Sequence, residues 1–198
     1  MKKFVVLPLL LLVFGATAAF AQMETAGPMW AFGAHGGYGL PTGDFKDVYD
    51  GGLTVGASGC YMFTGNYGLE LAVEWSKFPV TDAYLDLLKA LPGVTDADAN
   101  FQFLPVTFDF VANFPMGGPV APYLKGGLGM YFETAEVEIN GEKDTATEND
   151  FGFNLGGGVK FPLSETTVID VGGCFHNVMT EDESTQYFTI SAGVGFMF

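Results

Sequence analysis

Residues 188–198 read Phe-Thr-Ile-Ser-Ala-Gly-Val-Gly-Phe-Met-Phe, and this alternation constrains the fold more than any other feature of the chain. Phe188, Ile190, Ala192, Val194, Phe196 and Phe198 share one parity, while Thr189, Ser191, Gly193 and Gly195 share the other. A period of two means an extended strand whose two faces meet different surroundings. In a soluble sandwich the face opposite the core carries charge. Here it carries glycine, serine and threonine. Bulk facing lipid, with small and polar residues facing inward, is the pattern of a transmembrane β-barrel strand.

The same parity rule reads back through the chain. Strands are expected at about 30–40, 51–62, 67–78, 101–114, 122–133, 150–161, 166–177 and 188–198. Leu69, Leu71 and Val73 alternate with Glu70, Ala72 and Glu74; Phe108 and Phe110 alternate with Thr107 and Asp109. Eight strands is an even number, as single-chain bacterial barrels require. The links alternate in length: 63–66, 115–119 and 162–165 are tight, whereas 41–50, 79–100, 134–149 and 178–185 are long and polar. Short turns on one rim and long loops on the other match the periplasmic and extracellular ends of such a barrel. The expected fold is all-β: an eight-stranded antiparallel up-and-down transmembrane β-barrel.

Composition agrees. Glycine accounts for 28 of 198 residues, about twice its usual share of roughly 7%, which suits a narrow barrel whose interior side chains must fill without crowding. Aromatics near strand ends (Trp30, Tyr61, Tyr67, Trp75, Phe78, Tyr123 and Tyr187) are expected in the two interfacial belts. The net charge is −15, and all eight bases are lysine. An acidic chain without arginine is a poor partner for phosphate backbones, so nucleic-acid binding is excluded.

Residues 1–21 read as a signal peptide. Lys2 and Lys3 precede an apolar run from Phe4 to Phe14, and Ala19-Phe20-Ala21 offers a cleavage site before Gln22. The competing reading, an N-terminal membrane anchor, needs a longer apolar run. No cysteine follows the run, so a lipoprotein anchor is not expected. Residues 22–198 form the barrel domain.

Residues 30–45, Trp-Ala-Phe-Gly-Ala-His-Gly-Gly-Tyr-Gly-Leu-Pro-Thr-Gly-Asp-Phe, resemble the opening strand of the small OmpA/OmpX-like outer-membrane β-barrel family. Pro122-Tyr-Leu-Lys-Gly-Gly-Leu-Gly-Met-Tyr131 and Phe153-Asn-Leu-Gly-Gly-Gly-Val-Lys160 resemble its later strands. The resemblance implies a bacterial outer-membrane location, with outer-membrane lipid as the surrounding partner. It also implies that Phe188, Ile190, Phe196 and Phe198 form the signal read by the outer-membrane insertion machinery. It implies no catalytic residue, and no periplasmic peptidoglycan-binding domain is expected after Phe198.

Parity turns Glu70, Glu74, Asp109 and Asp170 inward together with Lys125 and Lys160. Unpaired charges are costly in a narrow lumen, so these acids and lysines are expected to pair as a polar plug. The alternative is a gate in which pairs exchange partners and pass ions or small solutes. The long loops and their flanks hold 17 of the 23 acids. They read as a solvated acidic rim, or as oxygen ligands for calcium at Asp96/Asp98 or at Glu181, Asp182 and Glu183.

Cys60 and Cys174 fall on non-neighbouring strands at different depths, so two free buried thiols are expected rather than a disulfide. His35 and His176 also point inward, but their heights disagree with a Cys/His metal site. The His-x-Ser pair of barrel-type lipid A deacylases is missing after both histidines, so no enzyme and no cofactor is expected. Ala83, Leu87, Leu88 and Leu91 recur at helical spacing, giving a short helix over 82–92 that packs on the rim as a lid or offers its apolar face to a partner. The functional expectation is a structural barrel whose loops meet an extracellular ligand or surface. A narrow channel or transport barrel is the alternative.

Overall fold

The computed structural model describes residues 28–114, 120–180 and 184–198. Eight strands follow in chain order: β1 (Met29–Thr42), β2 (Gly52–Met62), β3 (Tyr67–Pro79), β4 (Ala97–Asn113), β5 (Ala121–Ile139), β6 (Glu142–Pro162), β7 (Thr167–Met179) and β8 (Ser184–Met197). Each pairs antiparallel with its sequence neighbour, and β8 returns to pair with β1, so the sheet closes without an edge. No helix among the described residues is long and apolar enough to cross a membrane. The strands do the crossing. Closure leaves the sheet no free edge to expose unpaired backbone groups to lipid.

Parity holds on every strand. Leu53 is 57% exposed and Leu155 is 64% exposed, whereas the residues beside them face the lumen. An apolar surface this continuous is stable only against hydrocarbon. Trp30 and Tyr61 pair across β1 and β2 on this outer surface with ring centroids 4.9 Å apart. They stand where an interfacial belt belongs.

Three expectations about the rim need correction. The polar stretch 134–149 is not a loop. β5 and β6 continue through it as a hairpin closed at Asn140-Gly141, both at positive φ. Asn-Gly is the pair that a two-residue type I′ hairpin turn favours. Asn140 also pins the tip, because its Oδ1 accepts from the Thr95 and Asp96 N–H groups. Second, the helix α1 (Asp82–Lys89) ends short of the expected 82–92, and none of its residues is fully buried. Third, the link 41–50 contains a 3-10 turn (Gly43–Asp47) that carries Phe45 into the barrel mouth. The tight link 115–119, residues 1–21 that read as a signal peptide, and residues 181–183 lie outside the described residues.

Candidate functional site

The lumen is layered. At the outer end, Phe78, Phe103, Tyr131, Val178 and Tyr187 form one buried cluster, with Phe45, Tyr49 and Phe101 packed on top. Phe103 stacks on Tyr187 at 4.8 Å, and Tyr187 stacks in turn on His176 at 4.5 Å. Phe45 meets Phe78 edge-on at 5.4 Å. These offset and edge contacts fill the bore with ring atoms. Phe78 and Tyr187 were expected in the interfacial belts. Both are fully buried instead, because their parity is that of Glu74 and Thr189, which face the lumen. Tyr123 likewise faces inward.

Beneath the rings lies a polar layer. The Tyr131 hydroxyl is 3.0 Å from His176 Nδ1. Glu74 reaches His35 Nε2 at 3.0 Å and His176 Nε2 at 3.9 Å. Ser76 donates to Thr54 Oγ1 at 2.9 Å. Asp109 is fully buried and accepts from Asn154 Nδ2 at 2.7 Å and from Thr107 at 3.2 Å. Lys125 spans the next level, with Nζ 2.9 Å from Glu70 and 3.7 Å from Asp109. A buried cation with two carboxylates and neutral donors around them meets the cost of desolvation.

The expected set of six lumenal charges therefore divides. Glu70, Asp109 and Lys125 lie together in one cluster. Glu74 turns instead to His35 and His176. Lys160 and Asp170 sit opposite each other in the β6–β7 register, yet form no ion pair within 4.0 Å among the described residues. Lys160 instead donates to Asn113 Oδ1 at 3.3 Å and lies 4.8 Å from the Tyr123 ring centroid. Asp170 accepts from the Tyr123 hydroxyl at 3.0 Å. Tyr123 thus stands between the two charges and serves both. Its inward parity with Lys125 was the signal available in the sequence.

Beside and below Lys125 the lumen opens into a cavity of about 290 Å³, whose upper wall includes His35 and Glu74. It reaches the short-turn end at Gly65 and Pro162, and its wall combines Met29, Met62 and Val111 with Lys160 and Asp170. Cys60 and Cys174 are both free and buried in its wall. Cys60 stands level with Ala31, and Cys174 with Thr189, so the two thiols occupy different depths. Among the described residues no three His, Cys, Asp or Glu side chains converge to hold a metal. Glu181, Asp182 and Glu183 lie outside those residues. On the outer surface of β8, Phe188, Ile190 and Phe196 share the lipid-facing parity, and Phe198 is tied to Trp30 through its backbone.

Comparison with known proteins extends this geometry. A family model described as an outer membrane protein beta-barrel domain matches residues 7–198. No curated protein sequence matches the chain. Among solved structures, Neisserial surface protein A is similar over 89% of this chain and 100% of its own, with 17% identity and a TM-score of 0.55. Ail, the attachment invasion locus protein of Yersinia pestis, was solved in complex with the heparin analogue sucrose octasulfate. It is similar over 87% of this chain and 100% of its own, with 15% identity and a TM-score of 0.59. The N-terminal β-barrel domain of Pseudomonas aeruginosa OprF covers 88% and 100%, with 18% identity and a TM-score of 0.51. At these identities the likeness is one of fold.

Proposed function

The chain belongs to the outer membrane protein β-barrel domain family, and on that premise we propose that it is a closed, non-enzymatic structural barrel whose acidic outer rim meets an extracellular partner. It resides in the bacterial outer membrane. In this reading residues 1–21 are removed on export, and the insertion machinery reads Phe188, Ile190, Phe196 and Phe198. The observation that carries the proposal is the ring layer of Phe78, Phe103, Tyr131 and Tyr187, backed at once by the Glu74–His35 and Lys125–Glu70 contacts. Rings and paired charges stacked in series leave an ion no continuous wet path through the upper lumen. The cavity below is a vestibule with a closed upper end.

The rim supports the second half of the reading. Above the lipid-facing band the chain displays the acidic β5–β6 hairpin and the helix α1, with Tyr84 and Leu87 exposed. Ail was solved with a polyanion. A rim carrying most of this chain's 23 acids is complementary to a cationic surface instead. Refolded protein in a planar bilayer is expected to stay electrically silent at neutral pH, and discrete openings would move the narrow-channel alternative to first place. In the same preparation the outer rim is expected to retain polylysine and to ignore sucrose octasulfate, with retention falling as salt rises.

A further inference from the structure

The periplasmic end of the lumen gathers sulfur. Met29 stands opposite Met62 in the β1–β2 register, and Ala31 stands opposite both Cys60 and Met197. Four sulfur side chains thus occupy two adjacent inward layers on three consecutive strands, β8, β1 and β2. All four line the vestibule. Cys60 Sγ lies 3.5 Å from Met62 Sδ, and Met29 packs against that pair. Of the other described methionines, Met130 and Met179 are exposed, so every inward one is here. Gly68 on β3 completes the seat, since a Cβ at that position would strike both the Met62 and the Cys60 sulfurs.

We propose that this cluster is a binding site for one soft monovalent cation, Cu(I), held by the Cys60 thiolate and the thioethers of Met62 and Met29. Thiolate and thioether sulfur select Cu(I) over the hard cations that carboxylates prefer. The carboxylate nearest in register, Glu70, is occupied by Lys125. On binding, the Cys60 thiol releases its proton to water in the vestibule and Cu–S bonds form, with no change in oxidation state. A thiolate with a monovalent cation is neutral overall, which suits a site walled by Val111 and Val168. Methionine side chains are unbranched and adaptable, so the thioethers can turn toward an ion from positions that otherwise fill space. Entry is from the short-turn end, where Gly65 and Pro162 line the vestibule.

The test is a reduced, anaerobic titration of the refolded full barrel in detergent micelles with Cu(I) presented as its bicinchoninate complex. Wild type is expected to withdraw one equivalent and to develop near-ultraviolet thiolate-to-Cu(I) absorption. Cys60→Ser should abolish both signals, Met62→Leu should weaken retention by at least about tenfold, and Cys174→Ser should leave both intact. If Cys60→Ser fails to show the heat-modifiable gel mobility of a folded barrel, the volume-conserving Met62→Leu and Met29→Leu variants decide the matter. A wild type that withdraws no copper overturns the proposal. Retention that survives Cys60→Ser, or that follows Cys174 instead, overturns it equally.

Discussion

The two halves of the lumen are built from the same alternating strands, yet one is packed shut and the other is open. The outer half holds Phe78, Phe103 and Tyr187 at zero exposure. The short-turn half holds a vestibule of about 290 Å³. Backbone geometry does not explain the difference, because the barrel is closed along its whole height. Side-chain volume does. Inward positions of the outer half carry rings, whereas those of the lower half carry Ala31, Gly33, Ser58, Gly172, Gly193 and Gly195. A barrel of this size is just wide enough for side chains to fill, so the choice of residue at a few inward positions determines whether a level is wall or space.

That comparison breaks most directly at Phe103. Phe103→Ala removes a buried ring and is expected to cost about 3–5 kcal/mol of folding free energy. Combined with Tyr187→Ala, its stacking partner, it should turn a silent barrel into a conducting one. Urea unfolding in micelles and single-channel recording check the two effects. A double variant that stays silent would mean the polar layer alone closes the bore. The next effect lies at Lys125, where the halves meet. Lys125→Ala strands Glu70 and Asp109 and should cost about 3 kcal/mol. Lys160→Ala should cost clearly less, because its ammonium partners a carbonyl oxygen and a ring rather than a carboxylate. Equal losses would mean that Asp170 depends on Lys160 despite the intervening Tyr123. A smaller effect separates the halves by volume. Val178→Phe adds atoms to a filled layer and should cost about 1–3 kcal/mol. Ala31→Val, pointing into the vestibule, should stay within about 0.5 kcal/mol.

How far the sequence could be read follows from the same physics. A sheet alternates with a period of two and nothing else, so parity identified the fold and the eight strands. Parity also held information that chemistry overrode. Phe78 and Tyr187 look like belt residues by type, but they share a face with Glu74 and Thr189, and position outweighs type inside a closed barrel. Pairing was harder to foresee, because Lys125 reaches Glu70 past an intervening strand, which depends on strand stagger rather than on order. Lys160 and Asp170 show the converse: direct neighbours in register, kept apart by Tyr123. The hairpin over 134–149 escaped notice because both its faces meet water, so nothing forces the alternation that marks a lipid-crossing strand. The Asn140-Gly141 turn was the remaining clue.

That hairpin supplies the control for the lumenal charges. Lys143 Nζ lies 2.9 Å from Glu136 Oε1, the same separation as Lys125 from Glu70. Geometry is matched while surroundings differ, since the Lys143 side chain is 53% exposed and that of Lys125 is 20% exposed. The Lys143 ammonium holds the Glu136 carboxyl below its ordinary value of 4.5, chiefly through the hydrogen bond between them. A depressed value in the folded state means that any stability gained is present above the ordinary value and lost as pH falls through the folded one. Water screens the pair, so Lys143→Ala should leave the urea midpoint of the barrel unchanged. It should instead move the Glu136 carboxyl titration upward toward the ordinary value, read by NMR of the side-chain carbon, and added salt should shrink that movement. A loss of barrel stability comparable to that of Lys125→Ala would show that distance alone sets the worth of these pairs. Unequal losses at equal distance would assign the difference to the dry surroundings of the lumen.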